Sequence, residues 1–416
     1  MQVDPYDPAF QRDPFPVFAQ LRRSDPVHFV PEQGWYMVTA MELVREALRH
    51  PETYANSDVA AVRRTEPPAE IADEIAAIRA QGFPYTPALS LNDPPIHTRY
   101  RKLISRAFTP RALAYMEEVV ESVAAELVGG LADGATVDII DALARPLPVY
   151  AIVRILGLPD ARRSDIARWS DAASASLGRR LADDEWLASE RDNVDFQLAM
   201  AAELDERRDD PRDDLLSVLV APTPGEQPLT NGELVFLIRE LLVAGNETTT
   251  RSIAEAVVQL DRKHELWSRV RADSSVADAV AEEAIRLASP VLGMFRRVTH
   301  DTVLGGTALP KGSIVYLGYG AASRDPGLFT DPDEFAPGRD HARDHLAFGF
   351  GIHVCVGAGL ARMETSVAVR ALADAVNRLA VIGPDDLSYV PSFFLHGLSS
   401  VPVRVTRLVD SAATGG

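Results

Sequence analysis

The chain has 416 residues, with 60 acidic against 42 basic residues, a formal net charge of −18 and 46% hydrophobic residues. That acidity excludes nucleic acid as a general partner, and a single cysteine excludes an internal disulfide and suits a reducing cytosol. Apolar content is ample for a large core, yet no run of about 18 uncharged apolar residues could span a membrane, and MQVDPYDPAF lacks the segments of a secretory signal, so a soluble cytoplasmic protein is expected.

In chain order, residues 13–22 read as a short amphipathic helix. Apolar runs at 27–30 and 35–39 flank Pro31-Glu-Gln-Gly34 and predict a hairpin, with a helix at 41–50 behind it. Residues 51–92 read as a long loop with one helix near 69–80; loops of that length are usually functional or disordered. Asp93-Pro94-Pro95 opens the helix IHTRYRKLISRAF, where His97 and Arg101 share a face four residues apart. Between His97 and Arg111 stand five Arg or Lys and no acid, either a solvated basic face or a charged docking surface. Helices follow at 111–132 and 141–156, a strand at 136–140, and largely helical sequence over 160–222 with a charge-dense turn around Pro211.

The longest helix is expected at 231–260, with Leu234, Leu237, Ile238, Leu241 and Leu242 as its apolar stripe. Ala244-Gly245-Asn246-Glu247-Thr248-Thr249 interrupts it with low-propensity polar residues, which predicts a local helix distortion. Glu283 and Arg286 lie three apart on the next helical face. FRRVTHD (295–301) and DPDEFAPGRD (331–340) follow, and then FGFGIHVCVGAGLARME (348–364). The lone Cys355 sits there among glycines at 349, 351, 357 and 359, just before a helix over 359–379. A thiolate at a helix start faces unpaired N–H groups, which favour the ionised, metal-ligating form. Short strands to 407 and a frayed tail at 409–416 end the chain.

The pattern Phe348-Gly349-x-Gly351-x-His353-x-Cys355-x-Gly357-x-x-Leu360-Ala361-Arg362 resembles the haem-binding signature of the cytochromes P-450. The other motifs stand in that family's order, so the resemblance spans nearly the whole chain. It implies a mainly α fold with a small β portion, one haem domain over 1–416, and no fused reductase. Cys355 would be the thiolate ligand of haem b, with Phe348, Gly349, His353, Gly357, Ala244 and Gly245 around the porphyrin. His97, Arg101 and Arg296 would meet the propionates. Glu283, Arg286 and Arg339 would form a structural brace. Ser323, where the family usually has Asn, is a departure that touches no chemistry.

The resemblance also implies a monooxygenase. Glu247 and Thr248 would supply protons on the distal side, while electrons would come from NAD(P)H through ferredoxin reductase and ferredoxin. A peroxide-driven hydroxylase and a non-catalytic haem-thiolate ligand-binding protein are the alternatives. Family correspondence places the pocket at parts of 55–92, 170–190, 241–249, 291–295 and 392–398. Its quoted lining is Val291, Leu292, Met294, Phe295, Phe393, Phe394 and Leu395, with His396 as one polar candidate. Such apolar walls suit a neutral lipophilic substrate such as a steroid, terpenoid, macrolide or fatty-acyl compound. A monomer is expected.

Overall fold

A computed structural model describes residues 2–57, 59, 67–222, 225 and 227–408, so the expected tail at 409–416 lies outside the described residues. The architecture is mainly helical with small sheets, as expected. Asn231–Arg262 is its longest helix (the central helix). Its start is fixed by a reciprocal cap, in which Glu233 N–H donates to Thr230 Oγ1 at 3.2 Å and Thr230 N–H donates to Glu233 Oε2 at 2.8 Å. The other Glu233 oxygen accepts from the Tyr100 hydroxyl at 3.1 Å and from Arg99 at 3.4 Å. One carboxylate thus starts the central helix and pins Ile96–Ser105 (the basic helix) beside it.

Leu234, Leu237, Ile238 and Leu242 are buried along the expected stripe, against a core shared with Pro110–Gly129, Ser275–Ala288 (the brace helix) and Ala358–Ala375 (the thiol helix). The thiol helix stops four residues earlier than expected. Val376 begins the strand Val376–Val381, which pairs antiparallel with Pro402–Arg407; a β-branched start and a waiting partner strand end the helix there. The segment at 141–156 divides into a wide turn over Ile140–Ala144 and the helix Pro146–Ile155, with Pro146 at the new first turn.

The hairpin Val27–Val30/Trp35–Val38 forms with Val27 opposite Val38. It extends through Ile314–Leu317 and Met294–Val298 to Tyr54–Ala55, giving five strands. Within this sheet Met294 and Arg296 alternate with Phe295, so one strand feeds two different environments. The charge-dense turn near Pro211 is a brace. Arg207, fully buried, donates to Asp214 at 2.8 Å, Glu203 at 2.7 Å and the Gly157 carbonyl at 2.8 Å.

A second brace lies on the brace helix. Arg286 donates through Nε and Nη2 to both Glu283 oxygens at 2.8 Å, and Arg339 Nε adds 2.8 Å to Oε1. Arg286 also donates to the carbonyls of Ser323 and Pro332, so the unexpected Ser323 serves through its backbone, while its hydroxyl accepts from Leu346 N–H. Glu283 is 1% and Arg286 0% exposed, so removing either strands a buried charge. Glu283→Ala and Arg286→Ala should each lose about 3–5 kcal/mol of stability in denaturant unfolding; an unchanged midpoint would refute the bracing role.

Candidate active site

Cys355 sits in a loop closed by its own N–H, which donates to the Phe348 carbonyl at 2.9 Å. Gly351, with φ 74°, is obligatory there, because a Cβ would meet the Leu48 carbonyl oxygen at 2.7 Å. The Cys355 residue is exposed, yet its sulfur is closely surrounded by protein. Burial accordingly pushes its pKa up, and the Gly357 N–H, Arg101 and Arg362 offset only part of that. The N–H at the helix start favours the ionised sulfur, as expected, while desolvation opposes it, and a bound metal ion would itself deprotonate the thiol.

What holds this loop is not legible from the local motif. Glu282, adjacent to the bracing Glu283, accepts from Arg362 Nε at 2.7 Å and Nη2 at 2.8 Å, and lies 2.8 Å from His345 Nε2. Arg362 also stacks over the Phe348 ring at 4.5 Å. Burial would raise the Glu282 pKa, but His345 and Arg362 outweigh it and hold it down at about 2. Its contribution to stability is present above its ordinary 4.5 and is lost as pH falls toward 2.

A cationic wall adjoins the loop. The His97 ring lies 4.1 Å from that of His353, and Arg101 Nη1 donates to the Val354 carbonyl at 2.5 Å. Arg296 is buried, donating to the Phe295 carbonyl at 2.8 Å and lying 3.5 Å from the Tyr319 hydroxyl. Burial lowers the pKa of His97, with Arg101 adding to the fall, and it lowers that of Arg101 too. His97 Nε2 is buried without a hydrogen-bond partner among the described residues. A ligand bearing carboxylates would satisfy this donor set.

Along the central helix, Ala244 and Gly245 are exposed between half-buried Val243 and buried Asn246, and a Cβ on Gly245 would meet no atom within 4 Å. The expected distortion is absent, for the helix is continuous from Asn231 to Arg262. Its hydroxyls are satisfied within the helix, each donating to a carbonyl four residues back: Thr248 to Ala244 at 2.5 Å, Thr250 to Asn246 at 2.8 Å and Ser252 to Thr248 at 3.0 Å. Glu247 is engaged with Arg251 at 2.6 Å.

The residues expected along the pocket differ in burial. Leu292, Phe295, Phe393 and Phe394 are buried in an apolar cluster with Trp35 and Tyr316, because strand alternation turns Phe295 away from the face of Met294. Val291, Met294 and Leu395 stay partly exposed, with Val291 bridging Leu395. His396 is buried against the carbonyls of Ala288 and Arg12 and the rings of Phe15 and Tyr389, and burial pushes its pKa down to about 4. Residues 58 and 60–66 of the expected wall lie outside the described residues.

An exposed lone cysteine in a glycine loop, beside a buried cationic wall and an opened helix face, fits an iron porphyrin with two propionates. Known proteins agree. The family model for cytochrome P450 matches residues 196–373. Cytochrome P450 109 of Bacillus spizizenii is 34% identical over 399 residues, covering 94% of this chain and 92% of that protein. The chain belongs to the cytochrome P450 family. Another relative, 6-deoxyerythronolide B hydroxylase of Saccharopolyspora erythraea, is 34% identical across 95% of this chain and 97% of its own. The solved structure of cytochrome P450 CYP109Q5 from Chondromyces apiculatus superposes with a TM-score of 0.86 at 33% identity, covering 98% of this chain and 99% of that one.

This P450 is therefore a haem-thiolate monooxygenase, and proteins of its kind take electrons from NAD(P)H through partners. Among the described residues, no helix is long and apolar enough to cross a membrane.

One buried acid of the thiol helix went unremarked in the sequence. Glu364 faces the Thr249 hydroxyl; burial pushes its carboxyl up to about 8, partly offset by Thr249. An acid with a raised folded pKa destabilises the fold as pH rises from its ordinary 4.5 through 8. Glu364→Gln should therefore melt higher than the parent at pH 9, with the gap closing below pH 4.5. Parallel melting curves across that range would contradict the assignment.

Proposed function

We propose that this P450 inserts one oxygen atom from O2 into a neutral lipophilic substrate, by hydroxylation or epoxidation, as a cytoplasmic monomer. Its electrons come from NAD(P)H through ferredoxin reductase and ferredoxin. The observation that carries the reading is the pairing of the exposed Cys355 with the opened face at Ala244 and Gly245, one turn from an intact Glu247–Thr248 pair. Val291, Met294 and Leu395 support an apolar ligand, and one relative is named for hydroxylating 6-deoxyerythronolide B.

Haem bound through Cys355 supplies the oxygen-activating chemistry, its thiolate donating electron density that favours O–O cleavage. The chain's own part is to anchor, orient and deliver protons. His97, Arg101 and Arg296 hold the propionates. Thr248 passes a proton from Oγ1 after releasing the Ala244 carbonyl, and Glu247 reloads it through water. An intact acid–hydroxyl pair favours turnover with O2 over a ligand-binding protein or a peroxide-driven enzyme.

Lys102, Arg106 and Arg111 are exposed on or just beyond the basic helix, whose Arg101 reaches the thiol loop. They suit docking of an acidic ferredoxin near Cys355, where complementary charge mainly raises the association rate.

Thr248→Ala should retain haem and substrate affinity while product formed per NAD(P)H consumed falls by about tenfold or more. Full coupling in that variant would remove the proton-delivery role. Lys102→Glu with Arg106→Glu should slow reduction by ferredoxin in stopped flow, most at low ionic strength, with substrate affinity unchanged. Rates that respond to neither charge nor salt would move the docking site elsewhere.

A further inference from the structure

The acid of the central helix does not stand alone. Arg251, one turn beyond Glu247 and 7% exposed, donates through Nη2 to Glu247 Oε2 at 2.6 Å. Its other terminal nitrogen, Nη1, donates to the carbonyl of Leu398 at 2.6 Å. Leu398 begins the strand Leu398–Ser400, directly after the turn that carries Leu395. The chain makes room for this side chain. Gly397 has φ 146°, and a Cβ there would meet the Arg251 Cβ, Cγ and Cδ at 2.7–2.8 Å. A planar guanidinium with one arm on a carboxylate and one on a backbone carbonyl is a short, stiff link.

A second acid shares this environment. On Arg163–Ser174, Asp171 faces Glu247 and Arg251, with Arg145 at 3.9 Å. Burial raises the Asp171 pKa and Glu247 adds to the rise, while Arg145 and Arg251 oppose it. The same helix is pinned to the central helix by Asn246 Nδ2, which lies 3.2 Å from Ser170 Oγ, both side chains being buried. Arg251 is thus bonded to the one carboxylate and within electrostatic reach of the other.

We propose that Arg251 is a positioning residue, fixing the Glu247 carboxylate and tying its position to the 392–398 turn. Movement of that turn when substrate enters is then felt at the acid. The inference rests on Glu247 serving in proton delivery, and it adds what sets that acid's place and when it is released.

The test uses the haem-loaded protein with its redox partners and reads two quantities, product per NAD(P)H consumed and backbone amide hydrogen exchange. Arg251→Gln and Gly397→Ala attack the link from opposite sides, and Arg251→Lys keeps the charge without the two-armed reach. Each should lower coupling, and each should raise exchange about tenfold at the Val390 and His396 amides, which bond around this turn, while the 376–381 and 402–407 strands stay unchanged. Glu247→Gln should loosen the same amides. The double variant Arg251→Gln/Glu247→Gln should couple no worse than Glu247→Gln alone, because one residue acts through the other.

Multiplying losses in the double variant, or turn exchange unmoved by Glu247→Gln, would overturn the proposal. If Arg251→Gln does not fold, Arg251→Lys and Gly397→Ala carry the same comparisons. Intact coupling in Glu247→Gln would instead remove the acid's role in proton delivery, and the exchange data would still decide whether the link exists. Uncoupling by Glu247→Gln but not by Arg251→Gln would sink the inference alone.

Discussion

Two consecutive carboxylates on one buried helix, Glu282 and Glu283, set the position of the thiol wall. Charges this deeply buried are tolerated only when fully paired, so each dictates where its partners must lie. Glu283 gathers Arg286, Arg339 and the Ala336 N–H, which fixes the polypeptide between Ser323 and Arg339. Glu282 gathers Arg362 and His345, which fixes the two ends of the cysteine loop. Arg362 lies on Phe348, and the Phe348 carbonyl receives the Cys355 N–H. The thiol is thus placed by a chain of contacts that begins on a helix far from it in sequence.

The opposite wall answers a different demand. A helix over a flat ligand must present little side chain, and Ala244-Gly245 presents almost none. Those residues and the hydroxyls after them weaken the helix locally, yet it runs unbroken from Asn231 to Arg262, with the Thr248, Thr250 and Ser252 hydroxyls donating to carbonyls one turn back. The helix is therefore opened by small side chains rather than by a broken backbone. Its acid is paired with an arginine of the same helix, while Asn246 and that arginine reach out to Ser170 and the Leu398 carbonyl.

Much of this was legible in the sequence because the signals are local. The 27–38 hairpin and the glycine-bracketed cysteine each announce themselves within a few residues. What escaped depends on distant partners. Glu282 meets His345 and Arg362 across 63 and 80 residues, and beside another acid it read as an ordinary helix position. Val376 ended the thiol helix because Pro402–Arg407 was waiting for it. The burial of Phe295 and Phe393 beside Trp35 and Tyr316 likewise depends on strand alternation and distant partners, which an apolar run does not reveal.

The account stands on Cys355 as the ligand of haem iron. Its most direct test is the absorption spectrum of the reduced carbonyl complex in the parent and in Cys355→Ser, with far-ultraviolet circular dichroism confirming equal helix content. The parent should show the red-shifted band of a thiolate-ligated haem, and the variant should lose it, with weakened haem retention. A folded Cys355→Ser protein that kept the red-shifted band would contradict the account at its centre.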